Sequence, residues 1–210
     1  MKRIKKFFFK TLSLLVLLIP VACDSNEIIQ NNDSKTEDKI LRIGNAESKI
    51  TVKVFSSLTC PHCASFHTNI FEKLKKEYID SGVVKFEHHS FPLDLAALNA
   101  EIIVRCHLDS NKSFQLLGEI YKKQSQWAVG SDINIINESI KKIGLNSGLD
   151  NKKMDKCLNN ENTQEEILNE RIEAQKKYNI KSTPTIYINK KIYKNKHEYK
   201  QFKKTIEKLL

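Results

Sequence analysis

The sequence predicts an α/β fold in which a small core of strands and helices is interrupted by one long helical insertion. Three observations carry that expectation. Apolar residues alternate at Ile50, Val52 and Val54, the period of a half-buried strand, and this strand runs straight into a helix-period segment beyond Cys63. Between residues 93 and 178 no stretch has the pattern of a strand. Strand signals return at Thr185 to Ile188 and are followed by a closing helix.

Each element follows from local pattern. Ile40, Leu41 and Ile43 form a short strand that Gly44-Asn45 turns away. Ile50 to Phe55 is the second strand, and it leads into Ser56-Ser57-Leu58-Thr59-Cys60. Phe66, Ile70, Leu74 and Tyr78 recur at every fourth position, one buried face of a helix that stops near Gly82. Val83 to His89 is a third strand, stopped by Ser90-Phe91-Pro92. The insertion holds helical stretches at Leu93 to Leu108, Lys112 to Gln126, Asn134 to Ile143, Asn151 to Leu158 and Thr163 to Tyr178. Turns such as Asp109-Ser110-Asn111 and Asn146-Ser147-Gly148 separate them. Asn189-Lys190 turns Thr185 to Ile188 back into Lys191 to Tyr193, and the last helix carries Tyr199, Phe202, Ile206 and Leu209 on one face.

At 210 residues the chain has room for one hydrophobic core after a leader. Residues 1 to 23 have a charged start, an apolar stretch from Leu12 to Ile19 and small residues near Ala22, the layout of an export signal too short to span a bilayer permanently. Ile19-Pro20-Val21-Ala22-Cys23 is similar to a bacterial lipoprotein cleavage box, with Pro20 where that pattern usually has Leu. Lipidation of Cys23 and ordinary cleavage nearby stand as alternatives; with lipidation, Asp24 implies, by likeness to enterobacterial lipoproteins, retention at the inner membrane. Residues 24 to 38 are polar except for Ile28 and Ile29 and read as a flexible tether, which leaves 39 to 210 as the folded domain. The net charge is +10, from 35 basic and 25 acidic residues; the leader holds five of the basic ones, so 30 against 25 remain, or +5. Those lysines read as interspersed with acids, with no basic stripe carrying interleaved aromatics, so nucleic acid is not an expected partner.

The chemistry centres on Cys60-Pro61-His62-Cys63. Disulfide exchange needs a stabilised thiolate, and Cys60 falls at the first turn of a helix, where unpaired N–H groups and the helix dipole favour negative charge. Cys63 lies on the same side of that turn, within reach of any mixed disulfide at Cys60. Pro61 suits a helix start, and His62 can add positive charge beside the thiolate. The same spacing also serves zinc, but a closed site needs four ligands and no second cysteine pair of this spacing exists; an envelope metal-binding protein is the alternative from another class. His88 and His89 read as strand residues with polar contacts. No metal and no cofactor are expected.

Cys60-Pro61-His62-Cys63, Phe91-Pro92-Leu93 after the next strand, a helical insertion, and Ser182-Thr183-Pro184-Thr185 before the final hairpin together resemble the DsbA family of thiol-disulfide oxidoreductases, from about Lys39 to the C-terminus. The resemblance implies a thioredoxin-like fold with an inserted helical domain. It implies Cys60 as the attacking and Cys63 as the resolving cysteine, faced by Thr183 and a cis Pro184 that exposes the Thr183 backbone to a substrate strand. Without the cysteine motif, an ordinary trans proline is the simpler reading. Ser182 stands where the family often has Gly, and Thr183 where its best-known oxidant has Val; Thr also occurs in disulfide isomerases. Relatives of this type often carry cysteines at the places of Cys106 and Cys157, which implies a structural disulfide; two buried free thiols are the alternative.

The resulting expectation is a periplasmic, monomeric enzyme that introduces disulfides into reduced exported proteins and is reoxidised by a membrane-bound or soluble redox partner. It carries a lipid anchor if Cys23 is modified. Isomerase or reductase activity on the same scaffold is the alternative.

Overall fold

The computed structural model describes residues 40–210. The leader, Cys23 and the tether lie outside the described residues.

Five strands form one mixed sheet in the order β1-β3-β2-β4-β5, made of β1 (Leu41–Ile43), β2 (Ile50–Ser56), β3 (Val84–Ser90), β4 (Thr185–Ile188) and β5 (Lys191–Ile192). Central β2 pairs parallel with β3, from Ile50 opposite Val84 to Ser56 opposite Ser90, and antiparallel with β4, where Phe55 meets Thr185. A parallel pair needs a crossover, and helix α1 supplies it. α1 is α-helical at Pro61–Phe66, widens to π pitch at His67–Phe71, returns to α at Glu72–Leu74 and ends in a second π segment at Lys75–Ile79. Gly82, at φ 77°, then reverses the chain in a backbone conformation that disfavours side chains.

Between β3 and β4 the chain is helical: α2 (Leu95–Arg105), α3 (Ser110–Lys122), α4 (Gln124–Trp127), α5 (Ile133–Asn146), α6 (Asn151–Leu158) and α7 (Glu161–Tyr178). α8 (Tyr199–Glu207) closes the fold. Aspartates explain several starts: Asp94, Asp109, Asp132 and Asp150 each accept hydrogen bonds from first-turn amides of α2, α3, α5 and α6. Asp94 therefore begins the first insertion helix at Leu95 rather than Leu93. The stretch expected to run unbroken from Lys112 to Gln126 divides at Lys123 into α3 and α4. Leu209, expected on the buried face of the last helix, follows the end of α8 and is 46 % exposed.

β2 is covered on both faces. Val52 and Val54 point into the main core with Leu74, Phe86, Ile186 and Phe202, while Phe55 points the other way against Phe91, Ala174 and Ile180. Helices on both sides of the sheet thus bury the strand that leads to Cys60. A polar network runs along β3, with Ser56 and His88 on the face of Val54 and Phe86, and Lys53, Glu87 and His89 on the face of Phe55. Ser56 Oγ lies 3.3 Å from His88 Nδ1, and His88 Nε2 is 3.0 Å from Glu101. Arg105 donates to Glu101 at 2.9 Å and to Glu170 at 2.6 Å, and Glu170 accepts the Ser90 amide at 2.8 Å. His89 meets Glu87 at 3.0 Å, and Lys53, directly across the ladder from Glu87, pairs with it at 3.0 Å. Burial opposes ionisation of Glu101, but the charges of His88 and Arg105 outweigh it and hold its pKa at about 2. The network ties α2 and α7 of the insertion to β3.

Candidate active site

Cys60 is the N-cap residue of α1, with extended backbone (φ −80°, ψ 118°) and Pro61 behind it in the first turn. Its carbonyl accepts the Cys63 amide at 3.0 Å and the Ala64 amide at 3.2 Å, so the helix opens immediately behind the sulfur. Proline at this point costs no hydrogen bond, since first-turn amides lack partners inside the helix.

The chain returns to the sulfur from β4. A cis peptide bond joins Thr183 to Pro184, and Cys60 Sγ lies 3.3 Å from the Thr183 carbonyl oxygen, to which the sulfur donates in its protonated form. Thr183 thus lies over Cys60, which is 8 % exposed, and Cys63 behind it is 1 % exposed. Both are free thiols. The loop covers Cys60 more closely than the openness expected of an attacking cysteine.

The two thiols titrate in opposite directions. A hydrogen bond from the Cys63 thiol is the largest influence on Cys60; burial works against it, and the Thr183 side chain and the Cys63 and His62 amides add to it, bringing the pKa from 9.0 to about 5. Burial pushes Cys63 far above the usual thiol range, and the neighbouring Cys60 sulfur pushes it the same way. At neutral pH the pair holds a thiolate at Cys60 and a thiol at Cys63. Its chemistry is that of an easily displaced outer sulfur and an inner one that keeps its proton.

His62 acts on Cys60 through its backbone amide. Its side chain is exposed, and the pKa of His197 falls, first through burial and then through His62.

Two residues absent from the sequence reading support the loop before Cys60. Gln124 donates its side-chain amide to the Leu58 carbonyl at 2.7 Å and to the Cys60 carbonyl at 3.1 Å. Asp94, which caps α2, also accepts the Thr59 hydroxyl at 2.7 Å. Asp94 carries a cap signature ahead of an apolar run and was open to recognition as a helix start; nothing local marks Gln124. Both belong to the insertion, so the insertion helps to place the cysteine.

Away from the site, Cys106 and Cys157 form a disulfide across a sequence separation of 51, joining the end of α2 to α6. Among the described residues no group of three or more His, Cys, Asp or Glu is placed to hold a metal ion. No described helix is long and apolar enough to cross a membrane.

A family model described as Thioredoxin matches residues 35–208. The disulfide bond formation protein D of Bacillus subtilis is 30 % identical over 89 % of this chain and 86 % of its own. The crystal structure of Wolbachia pipientis alpha-DsbA1 superposes with a TM-score of 0.75 at 27 % identity, covering 81 % of this chain and 90 % of the other. The chain belongs to the DsbA family of thiol-disulfide oxidoreductases. A Rickettsia bellii protein named as a protein-disulfide oxidoreductase is 33 % identical over 74 % of this chain, which spans 59 % of that relative's length. The sheet and helical insertion are those of the thioredoxin-like DsbA fold, and within that fold Cys60-Pro61-His62-Cys63 stands opposite the cis Thr183-Pro184 loop.

Proposed function

We propose that this chain is an exported oxidant of protein thiols, working through the Cys60–Cys63 couple. In the oxidised enzyme a substrate thiolate attacks Cys60 Sγ, the Cys60–Cys63 bond breaks, and Cys63 leaves and takes up a proton. A second substrate thiolate then attacks the substrate sulfur of the mixed disulfide and expels the Cys60 thiolate. The substrate gains a disulfide, the enzyme holds two more electrons, and a membrane-bound or soluble partner removes them. The Thr183 backbone, held out by cis Pro184, pairs with the extended substrate segment, and the exported, reduced substrate arrives unfolded enough to offer one.

The observation that carries this reading is the placement of Cys60 at the start of α1, opposite the cis Thr183-Pro184 loop and beside buried Cys63, where the surrounding groups favour its thiolate. A dithiol whose reduced form is favoured has an oxidising disulfide. The same stabilisation makes Cys60 the better leaving group when the mixed disulfide is resolved. Export rests on the leader, and attachment to the inner membrane on modification of Cys23, which the mass of the mature protein reads directly.

The test is the potential of the Cys60–Cys63 couple with stoichiometric oxidation of a reduced dithiol peptide. The oxidant reading expects a potential well above the roughly −270 mV of thioredoxin, with one peptide disulfide formed per oxidised enzyme. A potential near that of thioredoxin, with scrambled disulfides shuffled faster than dithiols are oxidised, assigns the couple to isomerase or reductase work instead.

A further inference from the structure

The lysines of the folded domain are expected to intersperse with acids along its length, and they do not. Residues 40 to 175 hold 17 Lys and Arg against 18 Asp and Glu, whereas residues 176 to 210 hold 11 Lys and two Glu. Nearly all the positive charge of the folded domain therefore comes from its last 35 residues, which form the end of α7, the β4–β5 hairpin and α8.

The fold gathers part of this charge around one cavity of about 1,090 Å³ at the hairpin, lined by Lys53, Lys177, Lys190, Lys191 and Lys194 and by no carboxylate. Lys53 is held by Glu87, but among the described residues no ion pair engages Lys190, Lys191 or Lys194, all of them exposed. Apolar side chains stand in the same lining, with Ile192 45 % and Leu209 46 % exposed. Lysines on a sheet edge ordinarily serve to discourage edge-to-edge association. That role explains neither the cavity nor the exposed apolar residues beside it.

We propose that this face docks on an anionic phospholipid surface, with headgroup phosphates taken by Lys190, Lys191 and Lys194 and the acyl boundary met by Ile192 and Leu209. A lipid surface offers both chemistries at one depth. An acidic polypeptide supplies partners for the lysines and leaves the apolar side chains against a polar surface.

The placement suits an enzyme of soluble substrates. Asn189 at the hairpin tip accepts the Thr51 amide at 2.8 Å, at the start of β2, while Cys60 follows the other end of that strand. Docking through the hairpin leaves the cysteine pair at the opposite pole, facing away from the membrane.

The experiment is lysine acetylation of the full chain, read by mass spectrometry, on phosphatidylglycerol and on phosphatidylcholine vesicles. The basic leader is the same on both, so the test is residue-resolved. Lys190, Lys191, Lys194 and neighbouring Lys196 are expected to lose about threefold in labelling on the anionic vesicles only, with recovery in molar salt and no change at Lys152 and Lys156 on α6. In K190Q/K191Q/K194Q, Lys196 is expected to label as in free protein, with the potential of the cysteine couple unchanged; the K190R/K191R/K194R variant keeps Lys196 protected. Unchanged labelling on phosphatidylglycerol, or equal loss at Lys152 and Lys156, overturns the proposal. Protection by polyglutamate without protection by vesicles also overturns it, in favour of an acidic polypeptide.

Discussion

The chain holds two cysteine pairs in opposite surroundings. Cys60 and Cys63 are three residues apart, reduced, and set where a strand becomes a helix; Cys106 and Cys157 are 51 apart and bonded across the insertion. Around the second pair everything is fastened. Arg105, next to Cys106, is gripped by Glu101 and Glu170, and the bridge holds the same end of α2 to α6. Around the first pair the fold supplies hydrogen bonds that favour one sulfur as an anion, and burial that denies charge to the other. A disulfide is exchangeable according to what its sulfurs gain by parting, and within the first pair it is Cys60 that gains.

The sharpest way to break the comparison is to remove one sulfur from each pair. Cys60→Ser is expected to abolish oxidation of a dithiol peptide, a loss of at least about a thousandfold, with little change in thermal midpoint. Cys63→Ser is expected to leave Cys60 reactive and to trap it as a mixed disulfide visible by mass. The double variant Cys106→Ala/Cys157→Ala is expected to do the reverse: stability falls by about 4 kcal/mol in denaturant titration, from the loop the bridge closes, while the potential of the Cys60–Cys63 couple stays in place. A potential that moves with this variant joins what the comparison keeps apart.

Smaller effects sharpen it. Glu170→Gln removes a charge that both Arg105 and the Ser90 amide depend on, and about 3 kcal/mol of stability is expected to go with it, again without change at the site. Thr183→Val removes one hydrogen bond to the Cys60 sulfur and is expected to raise its pKa by about one unit, making the couple less oxidising by about 30 mV. That variant leaves the buried network untouched, so unfolding in denaturant is expected to match the parent closely.

Much of this arrangement was legible in the sequence because it is locally encoded. The alternation at Ile50, Val52 and Val54, the four-residue period from Phe66 to Tyr78 and the turn at Asn189 each fix an element through its own neighbours. The position of Cys60 at a helix start follows from the same signals. What was not legible depends on residues distant in the chain. Gln124 reaches Cys60 only because the expected helix divides at Lys123. The path from Ser56 through His88 and Glu101 to Arg105 and Glu170 needs four elements, β2, β3, α2 and α7, in place before it is complete. A helix start offers backbone N–H groups whatever side chain follows, and the His62 amide favours the Cys60 thiolate in that way. The gathering of lysines at the hairpin was countable in the sequence, but their approach to one cavity was not.

The central claim is electrostatic and carries a sign that pH can test. A thiol whose pKa is depressed in the fold stabilises the reduced protein fully above its unfolded pKa near 9.0, and that stabilisation is lost as pH falls through about 5; the oxidised protein has no such group. The reduced form therefore gains on the oxidised form as pH rises through that window. The most direct measurement is titration of the Cys60 thiolate in reduced protein by its ultraviolet absorbance, with Cys63→Ser as a check on assignment. The account predicts one sulfur ionising at about 5 and the second still protonated well above neutrality. A first ionisation near 9.0, the ordinary thiol value, contradicts it.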